Sequence, residues 1–88
     1  MNPKNNDFDK TIMFSIHEED RDAQRKELLR KVYEALSEKG YNAIGQITEY
    51  ILTEEPTYIT AHKNARGMVR RIDPRELVAA ILKEYLDL

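Results

Sequence analysis

Apolar side chains recur along this chain with two different periods, and the change falls near residue 20. In Thr11-Ile12-Met13-Phe14-Ser15-Ile16, the residues Ile12, Phe14 and Ile16 alternate with Met13 and Ser15. That two-residue period is the mark of an extended segment. A single short strand does not hold itself in water, so such a segment needs a partner edge or a groove. Around it the chain is polar, with Asn5-Asn6 and the acidic run Glu18-Glu19-Asp20. Residues 1–20 are therefore expected to form a flexible N-terminal arm.

From about Asp22 the period becomes helical. Leu28 or Leu29, Val32 and Leu36 share one face, with Tyr33 beside them. Gly40 is the expected stop, because glycine accepts the left-handed conformation at a helix C-terminus. Asn42 can cap a second helix, in which Ile44, Ile47 and Ile51 are expected to form one face. Thr53-Glu54-Glu55-Pro56 ends it, since proline disfavours helix in the residue before it. A third helix is expected from about Thr60 to Ile72, with Ala61, Ala65, Met68 or Val69, and Ile72 facing inward. The sharpest start signal is Asp73-Pro74-Arg75-Glu76: a cap, proline at the first helical position, and a glutamate placed to complete a capping box. Leu77, Val78, Ile81, Leu82, Tyr85 and Leu86 then give a broad apolar face. The pattern predicts an all-α protein, a compact bundle of about four short helices over residues 21–88 behind the arm.

The chain has 88 residues. A domain of this size buries only about 60–65% of the surface that its unfolded chain exposes, so a homodimer is expected to cover the shortfall. Cysteine is absent, which removes disulfides and thiolate metal sites. No signal peptide is visible, and no run approaches the roughly 20 apolar residues of a membrane helix. These features lead to the expectation of a cytoplasmic protein without membrane insertion. Net charge is −2, but charge is unevenly placed. Residues 1–22 carry three basic and six acidic side chains. Residues 61–75 carry Lys63, Arg66, Arg70, Arg71 and Arg75 against Asp73 alone. An acidic arm and a basic segment can attract each other or serve separate partners.

Catalysis needs converging groups with tuned pKa values. His17 and His62 lie in different segments, and no acid–base, metal or cofactor constellation accompanies either; an enzyme is not expected. Glu18, Glu19, Asp20 and Asp22 lack the turn and ligand spacing of a calcium loop. Gly40 to Ile47 has the glycine spacing of a phosphate loop but lacks its lysine and Ser/Thr. Gly45 is expected instead to let a neighbouring helix approach. On a continuous helix His62, Arg66 and Arg70 would lie at i, i+4 and i+8 with Lys63 alongside, a stripe able to bind phosphate. The plainest reading is a solvated face paired with Glu54, Glu55 or the acidic arm. The same stripe also permits a phosphorylated or acidic protein segment, or a nucleic acid read through the basic third helix. Most of the five tyrosines are expected at the edge of the core with a wet hydroxyl. Thr11 is the only Ser or Thr among the first fourteen residues, and an accessible arm is what a kinase requires.

Several blocks together resemble the IreB family of small bacterial regulatory phosphoproteins. They are Phe8-Asp9-Lys10-Thr11-Ile12-Met13-Phe14; Val32-Tyr33-Glu34-Ala35-Leu36-Ser37-Glu38-Lys39-Gly40-Tyr41-Asn42 with Ile44 and Gln46-Ile47; and Pro56-Thr57-Tyr58-Ile59 with His62, Ala65-Arg66 and Arg70. The stretch from Glu76-Leu77 to Tyr85-Leu86 continues the likeness. The resemblance implies a helical homodimer with a flexible arm. It further implies a substrate of a transmembrane Ser/Thr kinase that senses cell-wall state, phosphorylated on arm threonines, and Thr11 aligns with one of these. No threonine precedes Thr11, and Pro74 departs from the family pattern. Function is accordingly expected to lie in control of cell-envelope stress or antibiotic tolerance by contact with a downstream protein.

Overall fold

The computed structural model describes the backbone of residues 3–88 and the side chains of residues 19–88. Four α-helices follow in order: α1 (Pro3–Glu38), α2 (Ala43–Thr53), α3 (Ala65–Val69) and α4 (Pro74–Tyr85). Two 3-10 turns, Pro56–Tyr58 and His62–Asn64, lie between α2 and α3. No strand occurs among the described residues. The all-α class expected from the pattern is thus observed. α1 starts at Pro3, well before the expected Asp22, and the backbone of residues 11–16 is helical where an extended segment was expected. Of the expected arm, residues 1–20, the side chains up to residue 18, Thr11 among them, lie outside the described residues.

Val32, Ala35 and Leu36 of α1 are fully or almost fully buried, which makes one stripe of α1 the floor of the core. Leu29 extends the stripe as a partly buried neighbour. The helix stops where glycine was expected to stop it. Gly40 has φ +82°, its N–H donates to the Ser37 carbonyl at 3.0 Å, and the Tyr41 N–H donates to the Leu36 carbonyl at 3.0 Å. This paired 5→2 and 6→1 arrangement satisfies carbonyls that the helix end leaves open. The chain then reverses, and Asn42 caps α2 by accepting from the Gly45 N–H at 3.2 Å.

Two details of α2 differ from expectation. Its buried face is Ala43, Ile47 and Tyr50, with Ile51 half-buried beside it, while Ile44 is 66% exposed. The inward face is turned by one residue relative to the isoleucine pattern, with Ala43 and Tyr50 buried one position before Ile44 and Ile51. Gly45 also has another role than expected. A β-carbon there would lie 2.7 Å from the Asn42 side chain, so Gly45 makes room for its own helix cap, not for a neighbouring helix.

The larger correction concerns the third helix. It was expected over Thr60 to Ile72, but regular helix covers only Ala65–Val69. Lys63 and Asn64 have φ of 52° and 60°, left-handed values that end any helix arriving from Thr60. The Thr60 hydroxyl accepts from the His62 N–H at 3.1 Å, a local turn that competes with helix formation. The irregular stretch before it still serves the core, because Ile59 is completely buried. Its carbonyls are satisfied by side chains: Gln46 Nε2 donates to Tyr58 O at 2.8 Å, and Arg66 Nε donates to Ile59 O at 2.9 Å. Ala65 and Val69 of α3 close the core.

Asp73 caps α4 as expected, accepting from the Arg75 N–H at 2.9 Å, with Pro74 in the first turn. Glu76 does not complete the capping box. Its carboxylate turns toward α1 and takes Arg25 at 3.1 Å and Arg21 at 3.5 Å.

Candidate partner-binding site

The basic residues singled out by the sequence are placed in three different situations. His62 and Lys63 meet at one carboxylate, that of Glu38 in the last turn of α1. His62 Nε2 lies 2.8 Å from Glu38 Oε1, and Lys63 Nζ lies 3.1 Å from Glu38 Oε2. A carboxylate only accepts, so Nε2 carries the proton in this contact. The hydrogen bond from His62 first, and that from Lys63 second, hold the Glu38 carboxyl below its ordinary range. Among the described residues Glu38, and not Glu54 or Glu55, is the partner of this pair. Glu54 instead forms the left-handed end of α2, and Glu55 accepts from Thr57.

Arg66 is half-buried, with its Nε committed to the Ile59 carbonyl. This contact fixes the guanidinium plane and leaves its other N–H groups available. Arg70 lies one turn further, exposed, and makes no hydrogen bond or ion pair with the described residues. Arg66 and Arg70 keep helical spacing, but the break at Lys63 and Asn64 takes His62 and Lys63 off that helix face. The single straight stripe over i, i+4 and i+8 does not exist. His62 and Lys63 hold α1, Arg66 holds the backbone, and Arg70 faces solvent.

A second surface lies on α4. The apolar residues of α4 were expected to face inward, yet Leu77 is its one buried residue. Val78, Ile81 and Leu82 are 38%, 46% and 52% exposed, and Tyr85, Leu86 and Leu88 more so. α4 is tied to α1 by charge. Arg25, whose side chain is 11% exposed, joins Asp22 at 2.8 Å to Glu76 at 3.1 Å. A groove of about 750 Å³ runs between the two helices over Leu29, Leu77, Ala80, Ile81 and Leu88. On the other side of α4 a cleft of about 360 Å³ is lined by Ile51, Pro74, Val78 and Leu82. Tyrosine burial also departs from the core-edge expectation. Tyr50 is in the core and Tyr58 at its edge, whereas Tyr33, Tyr41 and Tyr85 are exposed. The usable signal was amphipathic surplus: α4 carries more large apolar positions than so small a core can cover.

No helix among the described residues is long and apolar enough to cross a membrane. Among them, no group of three or more His, Asp or Glu side chains is placed to hold a metal ion.

Fold and surface together define a small helical protein with exposed charged and apolar surfaces. The model of the IreB regulatory phosphoprotein family matches residues 9–87. The chain belongs to the IreB family, whose members are described as regulatory phosphoproteins and do not form a known enzyme family. The match runs from the residues around Thr11 through the core to the end of α4.

Proposed function

We propose that this protein is a cytoplasmic, non-enzymatic switch: a substrate of a transmembrane Ser/Thr kinase, phosphorylated on Thr11. It acts by protein–protein contact on cell-envelope stress responses or antibiotic tolerance. The observation that carries this reading is the family match, which includes Thr11 and spans nearly the whole chain. Phosphate on Thr11 adds about −1.5 to −2 charge to a segment that already holds Asp7 and Asp9. That change redirects the segment from acidic surface toward basic surface.

The working unit in this reading is a homodimer. Its support is the exposed row Val78, Ile81, Leu82 and Tyr85 on α4, flanked by two open grooves. A contiguous apolar face of this kind is unfavourable in water and is the usual substrate of association. The nucleic-acid reading of the basic third helix loses its main support. The helix is five residues long, and His62 and Lys63 are both turned onto the Glu38 carboxylate.

The test is replacement of Thr11 by alanine in the native cell, with survival under cell-wall-directed stress as the readout. Cells carrying Thr11→Ala should respond differently from wild type while the purified variant keeps its melting temperature. Identical survival, in an assay where deleting the whole protein does have an effect, rules Thr11 out as the switch.

A further inference from the structure

The exposed row on α4 has a spacing that reads the same in both directions. Val78, Ile81, Leu82 and Tyr85 follow one another at steps of three, one and three residues. A two-fold axis crossing the helix between Ile81 and Leu82 therefore sets Val78 of one copy opposite Tyr85 of another, and Ile81 opposite Leu82. That is the condition for an isologous contact, in which one patch serves both subunits. A row meant for an unrelated partner has no need of this symmetry. The ends of the row also differ in shape. Tyr85 is 85% exposed and lines neither groove of its own protomer. Val78 lies in the cleft of about 360 Å³ together with Ile51, Pro74 and Leu82. A projecting ring thus stands at one end of the row and a hole at the other.

We propose that two copies of this chain pair through antiparallel α4 helices, and that Tyr85 of each copy fills the cleft beside Val78 of the other. The inference rests on the homodimer reading above and adds its geometry and its anchor. A tyrosine brings a large rigid apolar ring whose hydroxyl needs a polar partner when buried, and it is among the residues that dominate interface energies. The cleft supplies both requirements. Ile51, Pro74, Val78 and Leu82 give it apolar walls, and Ala79 adds a wall of only one methyl group, which lets a second helix come close. Glu54 and Arg75 also line it, and neither forms an ion pair among the described residues. They offer the incoming hydroxyl an acceptor and a donor. Charge does not oppose the pairing, because Glu76 and Glu84 are turned toward Arg25 and Lys26 of α1 and away from the row. Leu52, 74% exposed next to Ile51 at the end of α2, widens the apolar face.

The experiment uses the absence of cysteine from the chain. Two full-length variants, Val78→Cys and Tyr85→Cys, each carry a single thiol at an exposed position. They are mixed in equal amounts and oxidised mildly, and the disulfide-linked dimers are sorted by mass. Antiparallel pairing predicts that the mixed dimer exceeds either single-variant dimer at least fivefold, since a disulfide forms only between closely placed β-carbons. Parallel pairing predicts the reverse. A second arm measures self-association by sedimentation equilibrium. Tyr85→Ala should weaken the dimer at least tenfold, and Tyr85→Phe, which keeps the ring and loses the hydroxyl, about threefold, the scale of one hydrogen bond. The helical circular-dichroism signal should stay unchanged in both, because Tyr85 lies outside the core. Single-variant dimers as abundant as the mixed one, or a Tyr85→Ala protein that associates as tightly as wild type, overturns this geometry while the homodimer stands. A wild-type chain that sediments as a monomer overturns the homodimer reading itself.

Discussion

Leu36 and Glu38, two residues apart in the last turn of α1, show two kinds of residue, one acting by packing and one by charge. Leu36 is completely buried among Val32, Ile47, Ile59 and Val69. Its truncation to alanine removes apolar contact and leaves a cavity, and should cost about 2–5 kcal/mol in denaturant unfolding. That loss is large for a domain of this size. Glu38 lies on the surface and matters through its protonation state. Its folded-state pKa is depressed, so the folded protein binds a proton there less readily than the unfolded chain does. The resulting stabilisation is present above the ordinary carboxylate value of 4.5 and is lost as pH falls through the depressed value. A carboxyl-carbon NMR titration should therefore give Glu38 a midpoint below 4.5. Replacing Lys63 by glycine should move that midpoint back up. The caps were the most legible residues in the sequence. Gly40, Asn42 and Asp73 each serve as expected, because a cap depends on its own few neighbours and little else. Gly45 and Gly67 were less legible. What each makes room for is an asparagine side chain three residues earlier, and sequence shows the spacing without showing which rotamer fills it.

At the scale of elements, α2 and α4 begin and end close to where pattern and caps place them, and α1 ends at Glu38, just before the Gly40 stop, but starts far earlier than the expected Asp22. The third helix did not follow the pattern. Ala61, Ala65, Val69 and Ile72 keep helical spacing, but the need to bury Ile59 and the turn at Thr60 override it. Local periodicity cannot report a demand made by a residue outside the helix. The face of α4 failed as a prediction for a related reason. Periodicity states that a face is apolar, not that this chain has anything to cover it. α4 has one buried residue, Leu77, and is linked to α1 through Arg25, so it should be the least protected helix of the described core. Arg25→Ala leaves Glu76 with Arg21 alone, on an exposed contact worth little. Amide exchange in α4 should then quicken several-fold while exchange at Val32, Ile47 and Val69 stays unchanged. A uniform rise across all helices would instead mean that the whole domain had lost stability and that α4 has no independence of its own.

For the whole molecule, surface and family point the same way. The IreB match supplies the class, regulatory phosphoprotein, and the exposed α4 face supplies a reason to associate. Leu82 stands near the middle of that face and lines one of its clefts. Leu82→Glu should shift sedimentation from a dimer to a monomer with the helical circular-dichroism signal retained. A wild-type protein that sediments as a monomer at high concentration removes the self-association proposal. The candidate switch residue was legible only through resemblance, since a lone threonine among polar neighbours carries no physical signature of its own. The central claim is that phosphate is placed on Thr11. It is met most directly by mass spectrometry of the protein isolated from its native cell after cell-wall stress. The account predicts a phosphorylated fraction on the peptide containing Thr11 that rises with stress. A fully unmodified Thr11 peptide under the same conditions, or phosphate confined to another residue, contradicts it.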